Sequence, residues 1–85
     1  MAQRGREPGI RLPYLKAWRH QAFLTQLEIA IPAGVTKSLI SYIENGTPTS
    51  RSTIRKLAAV FDISPQRLIT ENPEALQDWR SATRA

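Results

Sequence analysis

Helix-start signals recur at short intervals along this chain of 85 residues, and they limit what it can fold into. Thr25 precedes Glu28 by three residues, the spacing of a capping box in which each side chain hydrogen-bonds the other residue's backbone N–H. Thr36 precedes a second apolar-periodic segment, while Ser64 and Asn72 each precede a proline, which favours the first position of a helix. No segment alternates apolar and polar residues as a half-buried strand does. The sequence therefore predicts an all-α fold built from short helices.

The first two helices are predicted before Gly34. Pro13 suits the first position of helix one. The apolar residues of this helix, Leu15, Trp18 and Ala22, lie at i, i+3 and i+7. Helix two is expected to begin at Gln26, after the Thr25 cap. Pro32 lacks the N–H of an intrahelical hydrogen bond and disfavours helical backbone at the residue before it. Helix two is therefore predicted to be short or bent, with an early end that tilts the helix after it.

Three further helices and a C-terminal segment are predicted after Gly34. They share apolar residues at helical spacing and are expected over residues 37–44, around 54–61, over 65–69 and over about 74–82. The last segment, a short sixth helix, carries Leu76 and Trp79 on one face. These two side chains are expected either to anchor a contact with a second copy or a protein partner, or to cover the core.

The chain divides into a basic arm at 1–12, a folded domain at 13–70 and a C-terminal segment at 71–85. The arm contains three arginines and too few apolar residues to bury anything, so we expect it to be flexible. Residues 1–60 contain nine basic and three acidic side chains, and the net charge of the whole chain is +5. Such an excess favours a polyanionic partner, nucleic acid above all.

The amino-acid composition gives little support to the hypothesis that the chain is an enzyme. The chain has no cysteine and one histidine, His20, so no metal-binding set is evident, and no pair of carboxylates marks a site. We therefore expect no metal, no cofactor and no catalytic activity. No apolar run approaches the roughly 20 residues that span a bilayer, and no basic amphipathic face suggests membrane binding. These features predict a cytoplasmic protein.

Two short helices joined by Ala33-Gly34-Val35, the second capped by Thr36, form the pattern of a helix-turn-helix. The helix that reads DNA must present its first turn to base edges, and small residues at the crossing let the preceding helix pack across it. The alternative is an ordinary αα-hairpin of a helical bundle.

A set of fragments over about residues 15–69 resembles the phage lambda repressor-like, Cro/C1-type (XRE-type) helix-turn-helix family. These fragments are Leu24-Thr25-Gln26, Ile29-Ala30, Ala33-Gly34-Val35-Thr36, Ile40-Ser41, Ile43-Glu44-Asn45-Gly46, Ile54-Arg55-Lys56-Leu57-Ala58 and Asp62-Ile63-Ser64-Pro65. The resemblance implies a five-helix DNA-binding domain. Two residues depart from the family pattern: Pro32 within helix two, and Asp62 in place of a glycine after helix four.

The resemblance also implies roles for individual residues. Lys37, Ser38 and Tyr42, with Ser41 assisting, would read bases in the major groove. The expected phosphate contacts share positions at helix starts or in the loop after the recognition helix: Gln26, Thr36, Asn45, Thr47, Thr49 and Arg51, with Arg55 as a weaker candidate. Arg19 and Glu44 would form a partly buried structural ion pair.

These features predict a sequence-specific regulator of transcription that binds double-stranded DNA as a homodimer, most simply a repressor that occupies its operator. Three alternatives stay open. The chain could be an antitoxin or accessory module that binds a protein partner through its C-terminal segment. It could be the DNA-binding part of a longer protein. It could activate rather than repress.

Overall fold

The computed structural model describes residues 9–74, which contain five helices. These are α1 (Leu15–Gln21), α2 (Gln26–Ala33), α3 (Lys37–Glu44), α4 (Arg51–Val60) and α5 (Pro65–Thr70). Within that range the sole β-type pairing is an isolated antiparallel bridge between Ile10 and Thr49. The all-α, five-helix prediction is confirmed. No helix in this part of the chain is long and apolar enough to cross a membrane.

Hydroxyl side chains start four of the five helices. Each accepts a hydrogen bond from the backbone N–H three residues further on, and the four caps are Thr25, Thr36, Ser50 and Ser64. The capping box between Thr25 and Glu28 is present in full. Helix α1 has no side-chain cap and begins at Leu15, two residues later than predicted, because Pro13 and Tyr14 form a turn.

Helix α2 continues through Pro32 and ends at Ala33, so the prediction of an early end is wrong. Pro32 lies one residue before the end of the helix, where its missing N–H removes a single hydrogen bond. Gly34 then adopts a left-handed conformation, with φ 71°, and closes the helix. The other departure, Asp62, takes a left-handed φ of 57° after α4, which aspartate tolerates better than most residues.

The core lies between the inner faces of the helices, and α2 packs against both α3 and α4. Its members are buried aliphatic side chains with at most 3% exposure: Leu12, Leu15, Ile29, Ala30, Ala33, Ile40, Ile43, Ile54, Leu57, Ala58 and Leu68. Each fully buried Leu or Ile contributes about 1.5–3 kcal/mol relative to exposure. In α3 it is Ile40 and Ile43 that enter the core, so the opposite face of this helix is turned to solvent.

The folded unit begins earlier than predicted. Leu12 is only 1% exposed and belongs to the core, and Ile10 packs against that core. Ile10 and Thr49 exchange two backbone hydrogen bonds, each 2.9 Å long. A β-carbon on Gly9 would come within 2.5 Å of Pro48 Cβ, so the two backbones approach closely. The prediction of a flexible arm up to residue 12 is therefore wrong for residues 10–12.

Trp18 joins the first helix to the end of the last one. Its indole Nε1–H donates to the carbonyl oxygen of Glu71 at 3.0 Å, and its ring lies 6.3 Å from the ring of Phe61. The guanidinium of Arg67 lies 5.6 Å from the Trp18 ring centroid. Beyond this point Asn72 Oδ1 accepts from the N–H of Glu74, as expected for a helix start. Most of the predicted sixth helix, with Leu76 and Trp79, lies outside the described residues.

Candidate nucleic-acid interface

The turn before α3 fixes which side chains this helix presents to solvent. Val35 N–H donates to the carbonyl of Ala30 at 3.1 Å, and the Thr36 hydroxyl accepts from the N–H of Leu39 at 3.0 Å. Ile40 and Ile43 then point into the core. The chain therefore leaves α2 through Gly34 and enters α3 with its first turn facing outward.

The outer face of α3 carries the side chains that the resemblance nominates for reading bases. Lys37 and Ser38 are exposed in the first turn, and Tyr42 is 60% exposed one turn later. Ser41 is half-buried. Within residues 9–74, Lys37 takes part in no ion pair. The face therefore offers an ammonium, hydroxyls and an aromatic ring together.

The carboxylate of Glu44 is buried at the last residue of α3, whereas the exposed first turn lies at the other end of the helix. Arg19 donates from Nε and Nη2 to the two oxygens of Glu44, at 2.6 and 3.0 Å. The side chains are 11% and 4% exposed, respectively. Arg19 also donates from Nη1 to the carbonyl of Leu24 at 3.0 Å. The structure thus brings the predicted pair together and links α1, α3 and the start of α2.

Two opposing effects set the pKa of Glu44. Burial alone would raise it. The hydrogen bonds from Arg19 and Gln26, with the positive charges of Arg19 and Lys16, outweigh that effect and lower the pKa below its ordinary value. Glu44 is therefore ionised at neutral pH and neutralises the guanidinium beside it.

Gln26 is the first residue of α2, where the resemblance implies a phosphate contact. It also makes a hydrogen bond within the protein that the sequence did not predict. Its Nε2 donates to Glu44 Oε1 at 3.1 Å, and the side chain is half-buried. A carboxamide has two N–H donors, so this bond leaves one of them and the carbonyl oxygen for another partner. The Arg19–Glu44 pair therefore orients the Gln26 amide at the start of α2.

The loop after α3 contains two exposed candidates for phosphate contacts and a third candidate that is buried. Asn45 and Thr47 are exposed, and the N–H of Thr47 donates to the carbonyl of Tyr42 at 3.0 Å. Thr49 is 8% exposed, and its backbone N–H and carbonyl are both bonded to Ile10. Thr49 was a predicted phosphate contact, and the structure removes it from that set because it is buried.

Arg51 and Arg55 are exposed on successive turns of α4. They edge a groove of about 420 Å³ whose apolar walls include Ile10, Ile54 and Ile69. Neither arginine forms an ion pair with any residue from 9 to 74. The same part of the chain contains no group of three side chains able to hold a metal ion. These two exposed arginines of α4 are thus available to a polyanion.

Comparisons with known proteins agree with this geometry. A family model described as a helix-turn-helix domain matches residues 14–68. A chain in the solved structure of the SinR protein/SinI protein complex matches with 34% identity and a TM-score of 0.62. The match covers 82% of this chain and 71% of that one. No protein of curated function matches at a significant level.

Proposed function

Because this chain belongs to the lambda repressor-like, XRE-type helix-turn-helix family of DNA-binding regulators, we propose that it is a sequence-specific repressor that acts by occupying an operator in duplex DNA. The observation that carries the proposal is the outer face of α3, where Lys37, Ser38 and Tyr42 are exposed together on a helix held from behind by a buried core. An α-helix of this kind fits the major groove of B-form DNA.

The first turn of α3 supplies the base contacts. Lys37 donates to the guanine acceptors N7 and O6, while Ser38 donates to or accepts from a neighbouring base. Tyr42 presents its hydroxyl and a flat apolar face to a thymine methyl group, and Ser41 assists from the half-buried side. These contacts differ between base pairs, so they give the protein its sequence preference.

Phosphate contacts hold the domain in register on the duplex without reading sequence. Gln26 donates its remaining amide N–H to a phosphate, and the exposed hydroxyl of Thr36, at the start of α3, donates to another. Asn45 and Thr47 meet the backbone from the loop, and Arg51 from the first turn of α4. A helix N-terminus adds its own partial positive charge to such a site.

One α3 helix reads too few base pairs for a specific operator, so the protein binds as a homodimer on two half-sites about one helical turn apart. A dimer that blocks a promoter by occupancy needs no catalytic group or cofactor, and it acts in the cytoplasm. The C-terminal segment, with Leu76 and Trp79, is the second candidate surface for a protein partner. The SinR protein, one of the matched pair, is itself in a complex with another protein.

Paired substitutions test this division of roles. Lys37→Ala should relax preference at one base-pair position, with a discrimination loss of about 1–3 kcal/mol. Gln26→Ala should instead weaken binding to all duplexes alike. Lys56→Ala, which removes the same charge from an exposed position outside the proposed surface, is the matched control. Equal weakening by Lys37→Ala and Gln26→Ala on every sequence would refute the assignment.

A salt series measures the electrostatic contribution independently. The slope of log K against log salt should become shallower by roughly 0.9 for each phosphate contact removed. Arg51→Ala should therefore reduce the slope, whereas Ser38→Ala should leave it unchanged while altering sequence preference. If the slope of Arg51→Ala equals that of the wild type, Arg51 does not contact phosphate.

A further inference from the structure

The groove of about 420 Å³ lies where α4, α5 and the segment before α1 meet. Its apolar walls come from all three parts of the chain: Ile10 and Ile69 are half-buried, and Ile54 is buried. Pockets that hold small molecules typically measure about 300–1,000 Å³ and are mainly apolar, with a few polar groups that orient the ligand. The size and the lining of this groove therefore suit a small molecule with an apolar body.

The polar edge of the groove consists of hydrogen-bond donors. Arg51 and Arg55 contribute two guanidinium groups from α4, while Ser64 and Gln66 add a hydroxyl and a carboxamide at the start of α5. The Ser64 oxygen accepts from the N–H of Arg67, which leaves the hydroxyl proton free to donate. None of the described residues that line the groove is acidic. The edge therefore carries two positive charges that no lining carboxylate balances.

The two arginines occupy positions where positive charge is unfavourable for the helix itself. Arg51 is the first residue of α4, a helix end whose free N–H groups favour negative charge, and the first turn contains no acidic side chain. Arg55 follows four residues later, and like charges at i and i+4 repel each other. An anion bound at this edge of the groove would offset both the repulsion and the mismatch with the helix end.

We propose that this groove binds a small organic anion, a carboxylate attached to an apolar body. The carboxylate lies on Arg51 and Arg55, because a guanidinium matches the geometry of a carboxylate, and the body packs against Ile10, Ile54 and Ile69. The two charges alone would suit a phosphodiester backbone equally well, but such a backbone has no apolar part to fill the groove. The combination of cations and apolar walls therefore favours an amphiphile over a polyanion.

Occupation of the groove should also weaken DNA binding, and this part of the inference rests on the proposed function. Arg51 is both an edge of the groove and the phosphate contact proposed for α4. A carboxylate bound to its guanidinium neutralises the charge that a phosphate would otherwise meet. Ligand and DNA should therefore compete, each reducing the affinity of the other by the same factor.

Titration of the full chain with octanoate, followed through the isoleucine methyl signals in NMR without DNA, tests the site itself. Octanoate should shift Ile10, Ile54 and Ile69 with one dissociation constant between roughly 0.1 and 5 mM. The methyl groups of Ile31, which is 68% exposed on α2, report non-specific adsorption and should not shift. Octanol lacks the charge and acetate lacks the apolar body, so each should bind at least about threefold more weakly at constant ionic strength.

Two pairs of variants separate the apolar contact from the charge. Ile69→Phe places a larger side chain in the groove and should abolish octanoate binding, whereas Ile63→Phe makes the same change at a half-buried position outside the groove and should not. Arg51→Gln/Arg55→Gln should remove the preference for octanoate over octanol. Lys56→Gln, at an exposed position of the same helix outside the groove, should keep that preference. Melting curves confirm that each variant is folded.

Unshifted Ile10, Ile54 and Ile69 signals at about 20 mM octanoate would overturn the proposal, since that concentration exceeds the expected dissociation constant severalfold. Equal shifts of Ile31, or equal wild-type affinities for octanol and octanoate, would overturn it as well.

The competition is measured separately, on the duplex that the protein selects. Saturating octanoate should lower the DNA affinity of the wild type roughly threefold or more and leave that of Ile69→Phe unchanged. Octanoate that occupies the groove without changing DNA affinity would overturn the competition. A chain that binds octanoate as described but binds no duplex would refute the proposed function and support the groove as a ligand site.

Discussion

Replacing Glu44 with alanine should cost about 3–5 kcal/mol of unfolding free energy, the usual penalty for breaking a buried ion pair from one side. The Glu44 side chain is 4% exposed and accepts three hydrogen bonds, two from Arg19 and one from Gln26. Without it, the guanidinium of Arg19, itself 11% exposed, keeps a single bond to the carbonyl of Leu24. The cost is therefore largely that of a buried, uncompensated cation.

This magnitude is large for a domain of this size. A chain of 85 residues typically has an unfolding free energy of roughly 5–10 kcal/mol, so Glu44→Ala should lose about 30% or more of its stability. The melting temperature should fall by about 12 °C or more. The assay is urea unfolding at pH 7 and 25 °C, monitored by circular dichroism.

The exposed ion pair between Arg67 and Glu71 supplies the matched control. Its side chains are 50% and 37% exposed, and such surface pairs contribute about 0–1 kcal/mol. Glu71→Ala should therefore have little effect. The double variant Arg19→Met/Glu44→Leu removes both buried charges and should be more stable than Glu44→Ala. The reasoning is refuted if Glu44→Ala unfolds within about 1 kcal/mol of the wild type, or no earlier than Glu71→Ala.

Three further predictions follow from local geometry. Because the pKa of Glu44 is lower in the folded chain than in the unfolded one, its stabilisation is present at neutral pH and is lost as the pH falls below about 4.5; urea midpoints from pH 7 to 3 should fall less steeply for Glu44→Gln than for the wild type. Trp18→Phe keeps an aromatic ring, though a smaller one, and loses the bond to the Glu71 carbonyl, so it should cost about 1 kcal/mol or more in urea unfolding, and an unchanged midpoint would contradict the role of that bond. Melting should show opposite effects at two left-handed positions, with Gly34→Ala losing about 1 kcal/mol and Phe23→Gly gaining about 0.5–1 kcal/mol, and a loss for Phe23→Gly would show that its backbone is not strained.

Local signals in the sequence predicted most helix boundaries because caps act over three or four residues. Thr25, Thr36 and Ser64 each begin a helix where their spacing indicates. The prediction of an early end at Pro32 is wrong because the effect of a proline depends on its distance from the end of the helix, and only one residue follows it in α2.

Capping and spacing patterns do not predict contacts between residues that are far apart in the sequence. Ile10 and Leu12 lie among polar and basic residues, and nothing nearby indicates that Ile10 pairs with Thr49 across the domain. The same pairing buries Thr49, which the family resemblance nominates as a phosphate contact. The bond from Gln26 to Glu44 likewise joins residues 18 apart in sequence. The exposure of Phe23 could not be read from the sequence either, since an aromatic residue beside a helix is usually part of the core.

The central claim is that the outer face of α3 reads a specific DNA sequence, and selection from a randomised duplex library at near-physiological salt tests it most directly. The bound pool is sequenced, and the affinity of the enriched duplex is measured for the wild type and for Lys37→Ala. The account predicts enrichment of a palindromic site and a loss of preference by Lys37→Ala at one base pair in each half-site. A folded protein that enriches no sequence, or a Lys37→Ala variant that selects the same site with the same preference, would contradict it.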